Sequence, residues 1–319
     1  MILTVQDFLQ VDLPAMLACL FATLACALLG NFLVLRRQSL MGDAVSHAVL
    51  PGIVLGFLIT GTRETWPIFA GALGASIFAA VAIDLVRRFG RLDNGTAMGV
   101  VFSIMFAFGV VLMEQAAAHS VDLDAECVLY GQLEDILWLA PDGWSSLLRA
   151  EVWADLPREV VTLAVVTVLV AFAVIVFWKE LKISSFDPEL ATTIGFPAGW
   201  LNLGLMVLVG AVAVAAFEAV GSILVIAMFI CPPAAARMFT DRLISQVWLS
   251  LVFAAAAAIF GYIAAAWLPL WLGSDHALAA SGMVAVATGT ILALAVLVSP
   301  RYGLFARGFR RGRTPARAA

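Results

Sequence analysis

The chain has 319 residues, 63% of them hydrophobic and only 13% charged, with a mean hydropathy of +1.03. Soluble domains carry roughly 45–50% apolar and about 25% charged residues, and a water-soluble globule of this size cannot hide the excess. Its 22 acids against 18 bases, a net charge of −4, offer no basic surface for phosphates. A soluble enzyme, a disordered chain and a nucleic-acid binder are excluded, and the bilayer is the natural solvent.

A helix crossing the hydrocarbon needs about 20 mostly apolar residues. In chain order the candidate runs are 13–35, 44–60, 66–86, 96–113, 159–178, 200–217, 219–236, 247–268 and 279–298. The expected fold is all-α: one polytopic transmembrane helical bundle, residues 1–319, of about eight or nine spans. The first run is not a cleavable signal, because acids precede it and Arg36 and Arg37 follow it. Two stretches are interrupted. Pro51 and Gly52 fall in mid-span in GDAVSHAVLPGIVLGF, and FEAVGSILVIAMFICPPAAARM carries Gly221, Pro232 and Pro233, with 200–236 short for two full crossings. Interrupted apolar segments in the two halves of a chain point to a transport pathway, because freed backbone groups must line a cavity. A short match between Asp43-Ala44-Val45-Ser46 and Glu218-Ala219-Val220-Gly221 hints at an internal repeat.

Basic residues follow the odd-numbered spans: Arg36, Arg37, Arg87, Arg88, Arg91, Lys179, Lys182, Arg237, Arg242 and the tail 301–319 hold 15 of the 18. By the positive-inside rule the N-terminus lies outside and the C-terminus in the cytoplasm. Residues 114–158 then form the largest external segment, with nine acids against two arginines, read most simply as a solvated loop. His119 and His276 fall in external stretches and read as exposed loop histidines. Cys19, Cys26 and Cys231 sit in apolar runs, as small packing residues do, and Cys127 stands alone, so no disulfide framework or zinc knuckle is indicated.

Inside the runs the ionisable groups are Asp43, His47 and Glu218, with Asp84 at a span's inner end. A charge at the bilayer centre costs roughly 2.5–3.5 kcal/mol even on the mild scale, so such groups face a cavity or a partner. Asp43 and His47 are four apart and share one helix face. A carboxylate and an imidazole at that spacing can hold a divalent first-row metal, with positions left open for release. Asp43 also directly follows the Arg36-Arg37 anchor, where it can act as an N-cap with His47 in the first turn. Glu218 falls at a turn, where an outward-facing carboxylate carries little cost and a metal ligand is the alternative.

Residues 183–198 differ from the other loops. In WKELKISSFDPELATTIGFPAGW, Ser185 is placed to cap a short helix, with Pro188 in its first turn and Gly195 closing it. Such a helix docks into a partner's groove or lies on the membrane surface. The chain has no G-x-x-x-x-G-K-[ST], no H-E-x-x-H and no G-x-S-x-G. It carries no nucleotide site and no hydrolytic motif of its own, so it reads as a transport subunit and not an enzyme.

Three blocks in this order, LRRQSLMGDAVSHAVLPGIVLGF, FDPELATTIGFP and AVGSILVIAMFICPPAAARMFTDRL, resemble the signature segments of the membrane subunits of bacterial ABC importers for manganese, zinc and iron. The likeness runs from Leu35 to Tyr302. It implies an inner-membrane permease of the type resembling the vitamin B12 and siderophore permeases, with no cofactor beyond the transported ion. Its implied partners are a second permease subunit (the same chain or a paralogue), a cytoplasmic ABC ATPase dimer and an extracytoplasmic metal-binding protein. It further implies that FDPELATTIGFP is the coupling helix, with Phe186, Asp187 and Glu189 at the ATPase contact. Asp43 and His47 match the acidic residue and histidine of the family's pore-lining second span. VDLDAECVLYGQLED and FEAVG resemble the manganese and iron branch, where a hard carboxylate from Glu218 beside Asp43 fits manganese or ferrous iron. The competing readings are an iron-chelate importer and an ion-coupled metal carrier without an ATPase.

Overall fold

The computed structural model describes residues 5–38, 41–61, 65–117, 131, 133–141, 143–271, 278–300 and 303, and the described residues form helices joined by short connections. In chain order these are α1 (Val5–Leu35), α2 (Met41–Ala48), α3 (Leu50–Thr60), α4 (Thr65–Gly90), α5 (Asn94–Ala117), α6 (Ala150–Ala154) and α7 (Arg158–Val176). They continue as α8 (Trp178–Phe186), α9 (Pro188–Thr193), α10 (Ala198–Val220), α11 (Ser222–Phe239), α12 (Leu243–Trp271) and α13 (Ala280–Val298). Among the described residues, eight helices are long and apolar enough to cross a membrane. The ninth expected run, 44–60, is divided: α2 and α3 meet at Val49, because Pro51 has no N–H for the carbonyl four residues back. The amides of Gly52 and Ile53 both donate to Val49 O, at 2.9 and 3.1 Å.

Helix α1 is the axis of the bundle. It packs against α7, α10, α11 and α12, and its alanines, cysteines and Gly30 are buried, which lets four neighbours approach. In lipid, where apolar side chains gain nothing by leaving the solvent, such small-residue packing holds helices together. The closest approach is between Gly30 and α11. Pro233 offers no N–H to the Phe229 carbonyl, and that carbonyl faces Gly30 so closely that a Cβ there would overlap it. A buried polar bridge joins α1 to α12: Asn31 Nδ2 donates to Ser250 Oγ at 2.6 Å, and Gln246 Nε2 donates to Asn31 Oδ1 at 3.1 Å. Helices α2–α5 form a second group, joined to the first where α4 and α2 pack on α10.

The described part of 131–154 is not a solvated loop, contrary to the reading from composition. Leu133, Ile136 and Trp138 are buried. The Trp138 indole donates to Val152 O at 3.2 Å, and Gln10 Nε2 donates to Pro141 O at 3.0 Å. Glu134 is a structural acid: its Oε1 accepts the amide of Ala280 at 3.0 Å, placing a carboxylate at the N-terminus of α13, where the helix dipole favours it.

Candidate functional site: the broken second span and the coupling segment

Helix α2 carries the first candidate pair. The backbone places Asp43 at the third position of α2 rather than at its N-cap, so the capping alternative does not describe this conformation. Four residues on, His47 is half-buried, and its ring lies against Phe102 and Phe106 of α5, with centroids 5.3 and 5.6 Å apart. The Phe106 contact is edge-to-face at 87°. This packing fixes the imidazole plane two residues before the break at Val49 and one turn before Pro51, whose interruption loosens the backbone ladder. Gly42 sits over Phe229 of α11, where a Cβ would be 3.0 Å from the ring.

Glu218 occupies the last turn of α10, and α10 packs against α2. The fold thus brings together the helix bearing Asp43 and His47 and the helix bearing Glu218. The side chains of Asp43 and Glu218 lie outside the described residues, as do His119, Cys127, His276 and the basic tail apart from Gly303. Among the described residues no three His, Cys, Asp or Glu stand together. The suspected repeat has no local counterpart, since Asp43 opens a helix and Glu218 ends one.

Directly after that turn, Gly221 joins α10 to α11 at φ 77° and ψ 165°, a conformation that is essentially glycine-only. Gly131 packs on this joint; a Cβ there would overlap the Gly221 amide nitrogen. Sequence reading missed this contact. The only local signal is the apolar run Ile136–Leu139, which does not name its partners.

Residues 183–198, the expected coupling segment, are built differently from the expectation at one end. Asp187, not Ser185, caps α9: its Oδ1 accepts the Leu190 amide at 2.9 Å, with Pro188 in the first turn. Ser185 is buried and engaged with Arg36, whose Nε donates to it at 3.0 Å. The C-terminal end is as expected. Phe196 N donates to Ala191 O at 2.9 Å and Gly195 N to Thr192 O at 3.1 Å, the double bond of a Schellman stop, with Gly195 at φ 99°. Phe186, Asp187 and Glu189 are exposed, and Leu190 and Ile194 join Phe186 as exposed apolar residues. The sequence reading did not single out those last two.

Arg36 ties this segment to the rest of the bundle. Its Nη2 donates to Ser184 Oγ and its Nη1 to Asn202 Oδ1, both at 2.8 Å, so one side chain joins the ends of α1, α8 and α10. Burial lowers this guanidinium to about 10, and it is still protonated at neutral pH. Arg37, Arg87 and Arg88 gather at the same end of the bundle as α9. The basic residues that follow spans one and three therefore stand beside residues 184–188.

Comparison with known proteins agrees with this architecture. The ABC 3 transport family matches residues 8–139 and 151–299. The chain is 36% identical over 286 residues to the manganese transport system membrane protein MntD of Bacillus subtilis (strain 168), covering 90% of this chain and 91% of that one. It is 38% identical over 296 residues to the zinc transport system membrane protein TroD of Treponema pallidum (strain Nichols), covering 92% of this chain and 76% of that one. Among solved structures, PsaBC from Streptococcus pneumoniae in complex with Fab superposes with a TM-score of 0.71 at 26% identity, covering 94% of this chain and 95% of the other. With the family matched along most of its length and the helical architecture shared, this multi-pass membrane chain belongs to the ABC 3 transport family.

Proposed function

We propose that this chain is the pore subunit of an ATP-driven importer of divalent metal ions, with manganese or iron favoured and zinc also accepted. The observation that carries the reading is the placement of His47, half-buried against two phenylalanine rings one turn before a proline break, on a helix that packs against the one bearing Glu218. A pathway for a naked cation needs a few polar groups on an otherwise apolar wall, held firmly enough to bind and sparsely enough to release. Asp43, His47 and Glu218 supply two carboxylates and an imidazole for that purpose. The mixed oxygen and nitrogen set suits manganese and ferrous iron, and it does not reject zinc. The metals for which the relatives are named, manganese for MntD and zinc for TroD, span the same range.

Uptake is driven from outside the chain. Two permeases, alike or paralogous, enclose the path. A pair of ABC ATPases engages Phe186, Asp187 and Glu189 on the cytoplasmic side, and an extracytoplasmic protein delivers the ion. In this orientation the N-terminus is outside and the arginine-rich end of the bundle faces the cytoplasm. ATP binding moves α8–α9, Arg36 passes the movement to the ends of α1 and α10, and the path opens alternately to the two sides.

The test is radiolabelled manganese uptake in cells expressing the chain with its ATPase and binding protein, wild type against Asp43→Ala at matched membrane levels. The expected result is loss of uptake in the variant, with excess zinc or iron ranking as competitors in wild type. Normal uptake by the variant would remove Asp43 from the path. Failure of wild type to move any of the three ions would favour an iron-chelate substrate.

A further inference from the structure

The arginine-rich end of the bundle holds a cavity of about 470 Å³ between the end of α1, α4, the α8–α9 turn and the start of α10. Arg36, Arg37, Arg87 and Arg88 line it against a single carboxylate, Asp84. That carboxylate is already engaged, with Arg87 Nη2 and Arg88 Nε each 2.7 Å from its oxygens. Arg36 is the informative member. It is mostly buried, yet among the described residues its three hydrogen bonds go to neutral oxygens, those of Ser184, Ser185 and Asn202. A guanidinium carries five N–H donors, so two remain. A buried charge without a counter-charge is costly, and the cavity beside it is where an anion would relieve that cost.

A second recess of about 260 Å³ adjoins the first, and the two share Asp84, Arg88, Gly199 and Asn202 as lining. Its remaining wall is apolar: Val81 and Leu85 from α4, Leu203 and Met206 from α10, with Trp200 at the rim. Trp200 is 75% exposed, as expected of an indole at the membrane interface. A basic pocket that runs into an apolar groove between two membrane helices has the two chemistries of a phospholipid in the right order. An acidic side chain of a partner protein would satisfy the arginines but would leave the α4–α10 groove unexplained.

We infer that this composite cavity is a binding site for an anionic phospholipid of the leaflet at the arginine-rich end, its phosphate on Arg36, Arg37 and Arg88 and an acyl chain along α4 and α10. A lipid held there touches both sides of the Arg36 junction, and so bears on how firmly α8–α9 is joined to α1 and α10. The inference is independent of which ion the protein carries.

The test is native mass spectrometry of the assembled, detergent-solubilised transporter with phosphatidylglycerol or phosphatidylcholine of identical oleoyl chains. Wild type is compared with Arg37→Gln/Arg88→Gln, whose side chains are exposed enough to be replaced without emptying the core, and with Arg242→Gln, a basic residue outside the cavity. The expected result is an about tenfold preference for phosphatidylglycerol, lost in the double variant and kept in Arg242→Gln. Equal retention of the two lipids, or a preference that survives the double variant, would overturn the inference. Release of the ATPase subunits by the double variant, with no lipid preference in wild type, would assign the cavity to an acidic side chain of the ATPase instead.

Discussion

The backbone amide of Trp138 donates at 2.8 Å to the carbonyl of Gln10. Gln10 lies in a π-helical turn, Phe8–Asp12, in which Leu13 N donates to Phe8 O, and the next residue, Pro14, has no N–H to continue the ladder. The first helix therefore presents an acceptor on its flank, and a segment more than a hundred residues away uses it. Gln10 adds its own side chain to Pro141 O at 3.0 Å. Replacing Pro14 with Ala restores a competing donor. The expected outcome is faster deuterium exchange across 133–141 with unchanged exchange in α10–α13, read by exchange mass spectrometry. Unchanged protection of 133–141 would show that the segment is held by Trp138 and Leu133 packing alone.

Gly30 and Gly289 provide a matched pair for α1–α11 packing. A Cβ on Gly30 would overlap Phe229 O and lie 2.9 Å from Pro233 Cγ, whereas a Cβ on Gly289 meets nothing within 4 Å. Backbone and a proline ring cannot turn aside, so Gly30→Ala should cost about 1–3 kcal/mol. Gly289→Ala should be neutral or slightly stabilising, since Ala is the better helix residue. Thermal unfolding in detergent reads both, and equal midpoints would refute the close-packing argument.

The His47 contacts separate packing from ligation. His47→Ala removes both the nitrogens and the ring that fills the space beside Phe102 and Phe106. His47→Phe keeps an aromatic ring there and removes only the nitrogens. Both variants should lose manganese uptake, while only the alanine variant should lose about 1 kcal/mol of stability with its ring pair. Uptake that survives in the phenylalanine variant would take His47 out of the path.

Coupling is tested at two neighbouring residues with different roles. Asp187→Ala removes the cap on α9, at a cost of about 1 kcal/mol to that helix, and Asp187→Asn retains it. Glu189→Arg leaves the helix intact and reverses a charge on its exposed face. In membranes containing the assembled transporter, Glu189→Arg should leave ATP hydrolysis running without uptake, and Asp187→Ala should weaken uptake that Asp187→Asn restores. Normal coupling in Glu189→Arg would count against α9 as the ATPase contact.

Much of this architecture was legible before any coordinate. The long apolar helices were visible because lipid demands about 20 apolar residues of every span, wherever the neighbours lie. The break in the second span was announced by Pro51, and the end of α9 by Gly195, since both act through their own backbones. The cap of α9 was not settled at that level. Ser185 and Asp187 are both competent N-caps, and the choice fell to Asp187 because Arg36, 149 residues from Ser185, binds the serine hydroxyl. The described part of 114–158, expected to be a solvated external loop, was misread for the same reason. Its acids argue for solvent, but Leu133, Ile136 and Trp138 are buried against elements far away in the chain, and Glu134 serves as the cap of α13.

The sequence by itself determined the solvent of this protein, the existence and order of its membrane helices, and the residue types available to a passing cation. Those follow from local composition and from proline and glycine chemistry, which need no partner. Only the tertiary structure decided that α1 is the axis, that the Asp43–His47 helix lies on the helix bearing Glu218, and that Arg36 sits mostly buried among neutral oxygens beside an apolar recess. Each of these joins residues distant in sequence, and the energy that fixes them, close packing of small residues and hydrogen bonds satisfied away from water, exists only once the chain has brought them together.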